Sequence, residues 1–261
     1  MAAENWELFR FIQKSNLKTA FLSKGDAFVN ILMMLINNFS FIFMWWVIFN
    51  DKGTINGWNF DDMALMFAVS GLSFALYAVF FRGVAELPQY IENGTLDSYI
   101  VSPRNLLFMV STSFSTFANW GDVITALTMY FLSGYVSAGG FVLFLYLSFM
   151  AFLLTYAMRL ILSTFAFYTS GTESLGNNIL MTFLIFSNQP ATIFTGIYKV
   201  IFLTVIPAGF VSLFPVALLK SFTWTEFAVF TLGTGGIFLL SLFFFYRGLR
   251  RYASGNRFGI R

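Results

Sequence analysis

The chain contains no histidine and no cysteine among its 261 residues. The first absence excludes an imidazole base, an imidazole metal ligand and a histidine pH switch. The second excludes disulfides, thiolate nucleophiles and thiolate metal sites, and leaves cysteine usage silent on redox compartment. Charge is scarce as well: 10% of residues are Asp, Glu, Lys or Arg, where a soluble domain carries about a quarter. No G-x-x-x-x-G-K-[ST] phosphate loop occurs. If the protein does ATP-driven work, another chain must bind the nucleotide.

What remains is apolar. Hydrophobic residues make up 58% of the chain, 37 residues are Phe, and mean hydropathy is +0.75. The apolar runs are long and continuous rather than alternating, which predicts an all-α polytopic membrane protein. Walls so rich in Phe suit a lipid-facing surface or a greasy cavity.

Charge spacing organises the rest. Glu4, Glu7, Arg10, Lys14 and Lys18 fall on one stripe and Trp6, Phe9, Ile12, Leu17 and Phe21 mostly away from it. Residues 1–26 therefore read as an amphipathic helix in the interface plane. Spans are predicted at about 27–50, 63–85, 113–136, 141–168, 174–187 and 227–246. Asn30, Asn37 and Asn38 lie within the first and call for a facing helix. Asn59, Asp61 and Asp62 are candidate caps for the second. Ser170 with Glu173, and Thr223 with Glu226, read as capping boxes opening the fifth and sixth. Between those two, Pro190, Pro207 and Pro215 break the pattern. Basic residues crowd the segment before the first span and the tail 247–261, which puts both ends in the cytoplasm and makes the crossings even in number. Six crossings follow if 190–219 is a re-entrant segment on the outer face.

That count places the polar island 86–104, E-L-P-Q-Y-I-E-N-G-T-L-D-S-Y-I-V-S-P-R, in the cytoplasm. Pro88 and Pro103 bracket it and Gly94 permits a sharp turn. Leu87, Tyr90, Ile91, Leu96 and Tyr99 offer apolar anchors, and Glu86, Glu92 and Asp97 offer charge. On composition alone, a docking element and an ordinary solvated loop fit equally. Within the spans, Asp122 and Arg159 lie at matched depth on consecutive antiparallel helices. An unpaired charge at such depth costs at least a few kcal/mol, so an Asp122–Arg159 ion pair is expected. Lys199, near the outer half, reads as snorkelling to lipid phosphates, or as meeting Glu226 or an anionic cargo.

The loop's Gly94, Leu96, Asp97, Ile100 and Pro103 fit G-x-L-D-x-x-[LI]-x-x-P. Further on, Gln189-Pro190-Ala191-Thr192-Ile193-Phe194, Val205-Ile206-Pro207-Ala208 and Phe214-Pro215 fit P-x-x-I-[FY] … I-P-A … P. In that order, and with that span count, the chain resembles the permease subunits of type-2 ABC exporters, in a bacterial branch carrying this loop. Arg104 supplies a basic residue after Pro103. Glu92 and Asn93 depart from the pattern, since they stand where basic residues are expected before Gly94.

The resemblance implies a permease without enzymatic chemistry in a bacterial inner membrane. Two ATP-binding subunits, using ATP and Mg, would dock beneath two permeases, the second identical or a diverged sister. The ATPase-coupling loop would comprise Glu86, Leu87, Tyr90, Glu92, Gly94, Leu96, Asp97, Tyr99, Pro103 and Arg104. The amphipathic helix would be the connecting helix. Pro190, Lys199, Pro207 and Pro215 would belong to a re-entrant outer gate. No metal site and no nucleic-acid partner are expected. A polytopic enzyme acting on lipid-linked substrates, or a channel or scaffold subunit, is the alternative.

Overall fold

The computed structural model describes residues 2–22, 24–190, 196 and 207–252. Among them the regular structure is helical. The α-helices run α1 Ala2–Ala20, α2 Lys24–Lys52, α3 Phe60–Phe80, α4 Leu87–Glu92, α5 Leu96–Ile100, α6 Leu106–Thr112, α7 Trp120–Leu132, α8 Ala138–Thr164, α9 Thr172–Ser187, α10 Gly209–Lys220 and α11 Trp224–Leu249. Short 3-10 turns at Arg82–Glu86, Phe117–Asn119 and Phe165–Phe167 link some of them.

Four helices, α2, α3, α8 and α11, are long and apolar enough to cross a membrane. The protein is therefore a multi-pass membrane protein. Helix α3 is the central post, buried over most of its length, with α7 and α8 as its main neighbours. Alanines at 64, 68, 75 and 78 let those neighbours approach. At Gly71 an added Cβ would sit 3.5 Å from the Cβ of Ala126 on α7. Gly233 and Gly248 let α11 close on Phe210 and on Phe167 in the same way. Helices α2 and α11 are mostly uncovered along their apolar faces.

Side-chain caps open α3, α8 and α11, as Asn105 does α6 by accepting from Phe108 N. Asn59 accepts from the Asp62 amide while Asp62 accepts from the Asn59 amide, a full capping box on α3. The Ser137 side chain accepts from Gly140 N at α8. The Thr223 side chain accepts from Glu226 N at α11.

Two expectations are corrected. The stretch 113–136 is not one helix from Ser113. Helix α6 ends at Thr112, and the 13-residue α7 starts only at Trp120. At 1.5 Å per residue α7 is about 20 Å long, short of a bilayer's hydrocarbon core. The break has a cause: Thr116 N donates to Ala78 O of α3 across 2.9 Å, which pulls the chain out of helical register. The Ser170–Glu173 capping box is also absent. Gly171, left-handed at φ +69, occupies the cap position, with no side-chain cap bond.

Of the proline-broken segment, 191–195 and 197–206 lie outside the described residues, and Lys199 with them. Pro190 and Pro207 are buried, and Pro215 is built into α10.

Candidate functional site: a coupling elbow and a polar cavity

The island 86–104 folds as a helix-turn-helix. Pro88 sits in the first turn of α4, where its missing N–H breaks no bond. Gly94, at φ +70, turns the chain into α5. The elbow is braced from within: Tyr90 and Tyr99 stack with centroids 5.3 Å apart, and the Tyr90 hydroxyl meets Ser113 Oγ at 3.0 Å. Burial pushes the Tyr90 phenol up to about 12, against the opposing pull of the Ser113 hydrogen bond.

The elbow's apolar residues divide into two groups, and none of the expected anchors falls in the exposed one. Leu87, Ile91 and Leu96 point into the bundle and are buried. They fix the elbow to its own chain and are not available to a partner. The exposed apolar residues are Ile100 and Val101, and Val101 is 81% exposed. Glu92, Asn93, Thr95, Ser98, Pro103 and Arg104 surround them on the surface, and Asp97 is half-buried. No sequence signal separated the two groups. The run L-D-S-Y-I-V is apolar at several phases, and only the tertiary packing chooses which phase turns outward.

Two connections run from the elbow into the bundle. At its entry, Gly83 passes so close to α6 that a Cβ would collide with the Val110 carbonyl. Arg159 of α8, almost fully buried, donates from Nη2 to Ala85 O at 2.9 Å. Gly176 of α9 leaves room for its Nη1. The second connection runs to the start of α9. Gln89 Nε2 donates to both Glu173 oxygens at 3.0 Å, and Glu92 Oε1 accepts from Gly171 N at 2.8 Å. Glu173 is thus used by the elbow rather than by its own helix cap, which explains the missing capping box. Beside these groups, Glu86 is half-buried, and desolvation followed by the Glu173 charge raises its carboxyl above the usual range.

A cavity of about 530 Å³ opens between α2, α3, α7 and α9. Asn37, Asn38, Ser70, Asp122, Thr125 and Asn188 supply its polar wall, and Phe41, Phe67 and Phe74 are among its apolar residues. Asp122 does not meet Arg159, contrary to expectation. Its Oδ1 accepts from Asn38 Nδ2 and its Oδ2 from Asn119 Nδ2, each at 2.6 Å. Amide donors from two elements satisfy the carboxylate without a counter-ion. Asn38 therefore has the facing helix its position required. Across the cavity, Ser70 Oγ donates to Asn188 Oδ1 at 2.7 Å, tying α3 to the end of α9. Arg82, also on the cavity wall, donates to Thr116 Oγ1 at 2.7 Å.

The structure thus sets a polar cavity among apolar spans and an internally braced elbow at their edge. The profile of the ABC-2 family transporter protein matches residues 35–255, most of the chain. The protein belongs to that family and is the permease of an ABC transporter, a family that works with an ATP-binding partner. No curated protein and no solved structure gives a significant match to the chain.

Proposed function

We propose that this permease is the membrane half of an ATP-driven exporter of amphipathic or lipid-like cargo, working by alternating access. The observation that carries the reading is a continuous mechanical line. The exposed Ile100–Val101 patch sits on the elbow. The elbow holds Gly171 and Glu173 at one end of α9, and Leu184, Ser187 and Asn188 near the other end of α9 line the cavity. A push on the elbow is thereby delivered to a cavity wall about 24 Å away, the length of a 16-residue helix.

In this reading the broken pair α6–α7 together, and α9, complete six crossings with the four long helices, and both termini are cytoplasmic in a bacterial inner membrane. Two ATP-binding subunits, loaded with ATP and Mg, seat beneath two permeases, identical or diverged. The cavity is one protomer's share of the path. Its mixture of Phe and carboxamide side chains suits a molecule with an apolar body and a polar end.

The test is purification of the tagged chain from native membranes in mild detergent. An ATP-binding subunit and ATP hydrolysis should accompany it, and both should fall at least tenfold with Val101→Asp. A folded chain that arrives alone would sink the reading and favour a channel, scaffold or membrane enzyme.

A further inference from the structure

A second cavity, of about 520 Å³, lies apart from the polar one, in a groove between α6, α8 and α11. Phe108, Phe149, Phe152, Leu153, Phe238 and Leu242 make up most of its wall. Among the described residues no acidic one lines it. Its floor holds one polar pair, Ser111 Oγ and the Tyr156 hydroxyl, 2.6 Å apart, and Ser111 also donates to Leu107 O. These groups satisfy one another, so an apolar occupant covers them without orphaning a hydrogen bond.

The surroundings say what that occupant is. The groove runs along the membrane-facing side of α11, where Leu239 and Phe243 are 66% and 58% exposed. In a spanning helix such side chains face hydrocarbon wherever another membrane chain does not cover them. At one end the lining finishes in Asn105 and Tyr246. An exposed arginine adjoins each of them in sequence, Arg104 before the first and Arg247 after the second. A tyrosine at that level marks the headgroup region. On the wall's far side Phe9 of α1 packs on Phe81 and Phe108, with centroids 6.2 and 6.3 Å away. The amphipathic helix therefore touches the groove's own lining.

We propose that this groove is a binding site for one anionic phospholipid, a resident lipid and not the cargo. One acyl chain fills the groove and the phosphate lies between Arg104 and Arg247. Moving an acyl chain from bilayer to groove gains little, because lipid tails are as apolar as the wall. Retention therefore depends on shape and on headgroup charge, which the two arginines supply. Since Arg104 belongs to the elbow and Arg247 follows the last span, the lipid staples the two together.

The test is native mass spectrometry of the purified full chain, with whatever subunits accompany it. It is delipidated and then offered phosphatidylglycerol or phosphatidylcholine with the same acyl chains. One phosphatidylglycerol per chain should survive activation energies that strip phosphatidylcholine. Leu242→Trp, which fills the groove, should remove that adduct. Arg104→Gln with Arg247→Gln, both at exposed positions, should weaken phosphatidylglycerol about tenfold and leave phosphatidylcholine unchanged. Equal retention of both lipids by the wild-type chain overturns the proposal. So does an undiminished adduct in the arginine double variant, which decides the matter even if Leu242→Trp fails to fold.

Discussion

Arg159 Nη2 donates to the Ala85 carbonyl across 2.9 Å, so a buried guanidinium on α8 holds the backbone where α3 gives way to the elbow. Its Nε and Nη1 find no hydrogen-bond partner among the described residues. The carboxylates of Glu86 and Glu173 interact with its charge through space, without a direct ion pair. Arg159→Met removes a charged hydrogen bond, which costs about 1.5–3 kcal/mol, and leaves those carboxylates facing each other. Denaturant unfolding in detergent should show a loss in that range. Arg159→Lys, which keeps the charge without the planar fork, should fall between the two. A variant Arg159→Met as stable as wild type would mean that the Ala85 contact contributes nothing.

Glu86 supplies a pH prediction. Desolvation and the Glu173 charge raise its carboxyl in the folded state. A raised acid contributes stability that is fully present below its unfolded value, about 4.3, and is lost as pH rises through the folded one. Glu86→Gln should therefore raise Tm at pH 8 and lose that advantage at pH 4. A Tm difference that is constant across this range would rule out Glu86 ionisation as its origin.

The two faces of the elbow should respond differently to substitution. Leu87 is fully buried, and Leu87→Ala should cost about 2–5 kcal/mol. Val101→Asp lies on the surface and should leave stability within about 0.5 kcal/mol while abolishing ATPase association. Differential scanning fluorimetry and co-purification read the two effects separately.

The sequence made the four long spans and the elbow visible because both are local signals. Apolar runs of membrane length and a Pro-bracketed polar island survive any tertiary arrangement. Partner choice was not visible. Residue counting from span ends nominates Asp122 and Arg159 for the same depth, but such a count does not fix azimuth. Asp122 faces α2, where Asn38 reaches it, while Arg159 faces the elbow. Ser170 and Glu173 have capping-box spacing, yet Gln89 takes Glu173 from 84 residues away. For Glu173 a non-local donor displaces the near neighbour that spacing nominates; for Asp122 the amides of Asn38 and Asn119 stand in place of the arginine.

The Gln89–Glu173 and Glu92–Gly171 contacts are exposed. Exposed polar contacts of this kind contribute about 0–1 kcal/mol, so their value lies in transmission. Gln89→Ala with Glu92→Gln should shift Tm little. It should suppress the ATP-dependent change in distance between spin labels at Asn177→Cys on α9 and Asn50→Cys on α2. The chain has no native cysteine, so the two labels attach without background. An undiminished ATP response in the double variant would move the coupling route elsewhere, with Arg159 the next contact to test.

At the opposite end of α3, Lys220 Nζ lies 2.8 Å from Asp62 Oδ1 and donates to Oδ2 at 2.9 Å, closing the end of α10 onto the start of α3. The pair is asymmetric: Asp62 is 1% exposed and the lysine 37%. Removing the lysine strands a buried carboxylate, whereas removing the carboxylate releases a lysine that water can reach. Lys220→Met should therefore cost more than Asp62→Asn, by about 1 kcal/mol after screening of the half-exposed partner. Asp62→Asn keeps an oxygen that can accept from Asn59 N, so the cap on α3 survives in that variant. The double variant should recover part of the Lys220→Met loss, and a double-mutant cycle in denaturant measures the coupling. Additive single effects would show that the two ends are held by packing alone. A coupling of about 1 kcal/mol or more would show that the Asp62–Lys220 pair itself holds the end of α10 to the start of α3.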